Sequence, residues 1–118
     1  SNNAGIGYDW FEFQPLCAVS VDQLRAYTPT SLTGEKFPQA KIHCDCLSDI
    51  EILGFDDELS SVLTNLITNA VKYGCKEGQA AEVNIAIQLN NQGLEIAISD
   101  KENLRLNSKV FFKVSRLQ

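Results

Sequence analysis

Polar and apolar positions along the chain fall into two rhythms. The stronger is helical: Leu59, Val62, Leu63, Leu66, Ile67, Ala70 and Val71 recur three and four apart and make one broad apolar stripe. Asp56, Asp57 and Glu58 stand where the positive end of a helix dipole favours negative charge, and Gly74 follows the last periodic residue as a C-terminal cap. This predicts a helix over 57–73. The second rhythm is alternation. Residues 83–89 and 94–100 place apolar side chains at every second position, with the turn cluster Asn90-Asn91-Gln92-Gly93 between them. Two alternating runs joined by such a cluster predict an antiparallel hairpin.

Weaker signals complete the chain. Residues 8–13 mix aromatic and acidic side chains and suit a short edge strand. Pro15 opens a helix over 16–27 with Leu16, Val19, Leu24 and Tyr27 as inward positions, and Thr28-Pro29-Thr30 stops it, because the residue before a proline is steered away from helical geometry. Pro29, Gly34 and Pro38 mark a loop over 29–40. Residues 41–47 alternate, with Ile42, Cys44 and Cys46 on one face, residues 50–53 suit one more short extended piece, and 109–114 a last strand. The order β, α, β, α, β, β, β predicts an α+β two-layer sandwich, a mixed, mostly antiparallel sheet with helices on one face.

Composition changes this picture little. The 118 residues, 44% hydrophobic and 21% charged, fit one domain with one core. Residues 1–10 are set apart as an N-terminal tail or expression scar and 11–118 as the domain. A net charge of -5 argues against a nucleic-acid surface, which needs clustered Lys and Arg. No run approaches the roughly 20 apolar residues of a membrane span, and no secretory signal is visible, so membrane insertion is not expected. Cys17, Cys44, Cys46 and Cys75 contain no C-x-x-C pair and the chain has one histidine; neither zinc nor haem is expected. Cys44 and Cys46 read as small apolar residues, and a reduced, cytoplasmic setting is the simpler expectation.

Candidate chemistry lies on the polar side of the 57–73 helix. Asn65 and Asn69 are four apart and Lys72 is three further on, a spacing that lines one helix edge, with Glu58 and Ser61 extending it. Asparagine carbonyls are hard oxygen ligands that Mg²⁺ accepts beside phosphate oxygens, and lysine supplies a point charge for phosphate. Any amphipathic helix also has a solvated side, so the same residues suit plain exposure. Asp100 shares the parity of Leu94, Ile96 and Ile98. Either the strand runs that far and its carboxylate enters the core edge, where it needs donors, or the strand ends at Ser99 and Asp100 opens an exposed turn.

Here a resemblance becomes specific. Residues 56–73, DDELSSVLTNLITNAVKY, are similar to the N-box of sensor histidine kinases, patterned D-x-x-L-x-x-V-L-x-N-L-x-x-N-A-x-K-Y. The hairpin ending Ile98-Ser99-Asp100 resembles the lead-in to their first glycine box, Asp-x-Gly-x-Gly. Over 11–55 the order of elements is consistent with the same family, whose superfamily includes type II topoisomerases. The resemblance implies a Bergerat-type fold holding Mg²⁺ with ATP or ADP. It implies Asn69 on the metal, Asn65 as the catalytic residue near the phosphates or the attacked water, Lys72 on phosphate, Tyr73 beside the base or ribose, and Asp100 on the adenine amino group.

The departures are as informative. Glu102 and Leu104 stand where the box glycines belong, no glycine follows Gly93, and only 18 residues follow Asp100, too few for the second glycine box and the ATP lid. Glycines let backbone approach the nucleotide and free N–H groups to cradle phosphate. Weak or absent ATP binding is therefore expected. Lys109–Leu117 suits the final strand of the family fold or the phenylalanine-rich segment after the first glycine box, and the strand is preferred because it completes the sheet. His43 sits in an alternating run without the acidic neighbour of a phosphoacceptor, and no helical hairpin exists to carry one. By resemblance, the expected partners are two-component proteins: a kinase dimerisation domain, a response regulator or a phosphotransfer protein. The two functional readings are a non-catalytic interaction module and a Mg-ATP-binding kinase fragment that phosphorylates a histidine on a separate dimerisation domain.

Overall fold

The chain is described from a computed structural model, in which residues 7–44, 49–75, 79–91 and 93–100 are placed, together with 108–112 and 116–117 by backbone alone. The elements run β1 (Tyr8–Glu12), α1 (Phe13–Arg25), β2 (Lys41–Cys44), β3 (Ile50–Phe55), α2 (Asp56–Gly74), β4 (Glu82–Asn90), β5 (Gly93–Asp100), β6 (Ser108–Phe112) and β7 (Arg116–Leu117). The fold is α+β. Among the described residues the strands form two sheets rather than the single sheet expected, ordered β1-β3-β7 and β2-β4-β5-β6. The consecutive strands β2 and β3 separate into different sheets, β2 pairing parallel with β4 and β3 antiparallel with β1. The other pairings among the described strands are antiparallel; β6 adds to β5 near the expected 109–114, but it is not the last strand, because β7 follows it and pairs with β3 in the other sheet.

The hairpin forms as its alternation predicts. Val83 faces Asp100, Ile85 faces Ile98 and Ile87 faces Ile96 across β4 and β5, and these side chains are buried. Gly93 carries φ 119°, a conformation that only glycine takes without strain. Helix α2 extends one residue beyond each predicted end and lays Leu59, Leu63, Ile67, Ala70 and Val71 against β4, β5 and α1. Full burial of each large aliphatic side chain there contributes roughly 1.5–3 kcal/mol of transfer free energy.

Helix α1 differs from expectation in start and register. It begins at Phe13, with Pro15 in the first turn, where the missing N–H is no loss. The inward stripe is Phe13, Cys17, Ser20, Val21 and Leu24. Of the four positions expected inside, Leu24 is buried, Leu16 and Tyr27 are partly buried against the core, and Val19 is 57% exposed. Phe13 sets this register: as a fully buried anchor it turns Cys17, Ser20, Val21 and Leu24, four, seven, eight and eleven positions on, to the same face.

Strand β1 is the edge of its sheet and begins at Tyr8, so residues 8–10 belong to the fold rather than to a tail. Its register is marked by Tyr8 opposite Phe55, whose rings meet edge to face with centroids 5.1 Å apart. The expectation for Cys46 falls on residues 45–48, and those for Glu102 and Leu104 on 101–107, all outside the described residues.

Candidate functional site

The helix edge forms as its spacing demands. Asn65, Asn69, Lys72 and Tyr73 are all exposed along α2, and Tyr73 is 62% open to solvent. Glu58 and Ser61 are exposed on the same side. Lys72 lies in the last turn, where a cation also complements the helix dipole.

Asp100 is placed differently. Strand β5 runs through it, so the carboxylate points inward as parity requires, and the residue is 0% exposed with Oδ2 sealed from water. It lies beneath the C-terminal end of α2. A Cβ built on Gly74 would overlap Asp100 Oδ2, with Cγ at 3.0 Å and the Ala81 Cβ at 3.3 Å. Gly74 is therefore not the cap expected outside the helix. It is the last helical residue, Cys75 follows as the cap, and glycine is required there by the close approach of the carboxylate.

Gly74 is five residues beyond Asn69, roughly 140° around the helix axis at about 100° per residue. The asparagine edge thus faces solvent while Asp100 sits under the packed side of the same helix end. A ligand touching both would have to part the Gly74–Asp100 contact.

Hollows among the described residues lie away from the asparagines of this edge. One, of about 310 Å³, lies between β1, β3 and the start of α2, lined by Tyr8, Phe11, Phe55, Glu58 and Val62 among others. Another, of about 290 Å³, is lined by Lys41, Gln79, Ala80 and Glu82. Asn65, Asn69, Lys72, Tyr73 and Asp100 line neither.

Among the described residues, no group of three or more His, Cys, Asp or Glu side chains could hold a metal ion. The oxygen donors that would suit Mg²⁺ are the side-chain carbonyls of Asn65 and Asn69, on one exposed edge. His43 is exposed on β2, with Nε2 3.2 Å from Glu82 Oε2. No helix among the described residues is long and apolar enough to cross a membrane.

Two features escaped the sequence reading. The Gly74–Asp100 contact is long-range, and a glycine after a periodic stripe signals a cap whether or not a side chain lies under it. The other is the approach of Cys17 to Cys44, with sulfurs 3.8 Å apart. Cys17 follows Phe13 by four residues, so the inward stripe of α1 would have placed it inside had its register been read from Phe13. Compared with known proteins, the chain matches no family model and no curated protein.

Proposed function

We propose that this chain is a degenerate histidine kinase-type ATP-binding domain of Bergerat type that works in two-component signalling as an interaction module. On this reading it has little or no ATP binding and no kinase activity of its own. The observation that carries the proposal is the state of Asp100. The residue that the resemblance assigns to adenine is fully buried, with its carboxylate so close to Gly74 that no side chain fits between them. A base would have to displace packed helix backbone to reach it. The replacement of the box glycines by Glu102 and Leu104 points the same way, since side chains there keep backbone N–H groups from approaching phosphate closely and Glu102 adds negative charge. What remains suited to partners is the exposed edge of α2, offered to a dimerisation, receiver or phosphotransfer domain. His43, exposed on a strand, takes no part as phosphoacceptor.

One observation favours the alternative, a Mg-ATP-binding kinase fragment: Asn65, Asn69 and Lys72 are all solvent-accessible and in register. In that case Asn69 holds the metal, Asn65 serves the phosphates, Lys72 pairs with phosphate and Tyr73 flanks the base.

Calorimetric titration separates the two. The interaction module gives no heat with Mg-ADP or Mg-ATP at millimolar concentration, and binds isolated two-component domains saturably without nucleotide. Micromolar nucleotide binding that Asn69→Ala abolishes would establish the kinase fragment instead.

A further inference from the structure

We infer that Cys17 and Cys44 form an oxidant-responsive dithiol, which closes to a disulfide between α1 and β2 when the protein meets a peroxide. The inward stripe of α1 brings Cys17 into the core, where it is 1% exposed. Cys44 is two residues beyond the buried Ile42 on β2 and is only partly covered. The two Sγ atoms are 3.8 Å apart, although the residues are 27 positions apart in sequence. A disulfide bond is about 2.05 Å long, so closure asks the sulfurs to approach by about 1.8 Å, divided between two side chains that each swing about χ1. Both are cysteine thiols in the structure.

Their unequal burial assigns the order of events. Cys44, the more accessible sulfur, meets the peroxide first as its thiolate. An S–O bond forms, the O–O bond breaks, and hydroxide leaves to become water with the proton that the thiol gave up. The Cys17 sulfur then attacks the Cys44 sulfur. The S–S bond forms, the S–O bond breaks, and the departing hydroxide takes the Cys17 proton as a second water. Two thiols and one peroxide thus give one disulfide and two waters, with two electrons passing from sulfur to oxygen. Small thiols reverse the bond by exchange. Closure ties the first helix to the edge of the four-stranded sheet and restricts the unfolded chain. Cys75 lies elsewhere, at the end of α2, with its thiol donating to the Lys72 carbonyl at 3.2 Å.

Peptide mapping of the full chain tests this. The protein is treated with hydrogen peroxide, alkylated and digested with trypsin, which leaves Cys17 in residues 1–25, Cys44 and Cys46 in 42–72, and Cys75 in a separate peptide. The expected product is a 1–25/42–72 cross-link that forms in Cys46→Ser as readily as in the wild type, disappears on reduction, and raises the urea midpoint of the oxidised form. In Cys46→Ser the only cysteine left in 42–72 is Cys44, so a cross-link in this variant joins Cys17 to Cys44. Failure of the cross-link in Cys46→Ser, or a peroxide-treated protein in which Cys17 is still fully alkylated, overturns the inference. A cross-link that persists in Cys44→Ser assigns the partner to Cys46 and overturns it equally.

Discussion

Replacing Gly74 by alanine sets two effects of opposite sign against each other. Inside a helix, alanine is favoured over glycine by roughly 0.5–1 kcal/mol, so local propensity alone predicts a more stable protein. The structure predicts the reverse. The new methyl group would overlap Asp100 Oδ2 and crowd Cγ and the Ala81 Cβ, and the carboxylate, 0% exposed on a side chain of two rotatable bonds, has little room to retreat. Overpacking of this kind costs about 1–3 kcal/mol. Less the propensity gain, the net loss is about 0–2.5 kcal/mol, so with a urea m-value of about 1–3 kcal/mol/M the midpoint should fall, by roughly 0.6 M at the middle of both ranges. Urea denaturation followed by far-UV circular dichroism reads this directly. A double-mutant cycle isolates the cause: in an Asp100→Ala background the overlap is gone, Gly74→Ala should become neutral or stabilising, and the coupling should be at least about 1 kcal/mol. A rise in midpoint for Gly74→Ala alone, or a cycle that closes without coupling, refutes the packing of Asp100 beneath the helix.

Other substitutions test other parts of the fold. Ile67→Ala removes a fully buried side chain and should lower stability by about 2–5 kcal/mol, whereas Val19→Ala on the exposed side of α1 should stay within about 0.5 kcal/mol of wild type; the same denaturation assay compares them. Gly93→Ala forces a side chain onto φ 119° and should lose about 1–3 kcal/mol, again by urea midpoint. Asn69→Ala, on an exposed helix position where alanine has the better propensity, should leave stability unchanged or raise it by up to about 0.7 kcal/mol, which shows that any loss of ligand binding in this variant is not unfolding.

The elements most legible in the sequence were those in which one rhythm ran uninterrupted. The stripe from Leu59 to Val71 and the alternation through Val83 and Ile98 each fix a face, and the structure buries those faces. Helix α1 was less legible because its true anchor, Phe13, directly follows an aromatic strand, and Pro15 marks a helix start two residues late. The division into two sheets was not legible at all, since β2 and β3 are neighbours in sequence and only long-range pairing separates them. At the candidate site, the exposed register of Asn65, Asn69 and Lys72 followed from spacing. Parity allowed two fates for Asp100, and the structure selects the inward one. Its closure by Gly74 depends on a contact between a helix end and a strand end that no local pattern encodes.

The proposal that nucleotide recognition has decayed rests on Asp100 being closed off while the asparagine edge stays open. Amide NMR during titration with Mg-ATP observes both places at once. The account predicts that the resonances of Asn65, Asn69, Lys72, Gly74 and Asp100 stay in place up to millimolar nucleotide. Saturable shifts that include Gly74 and Asp100 together with the asparagines would contradict it, because they would mean that the helix end opens to admit the base.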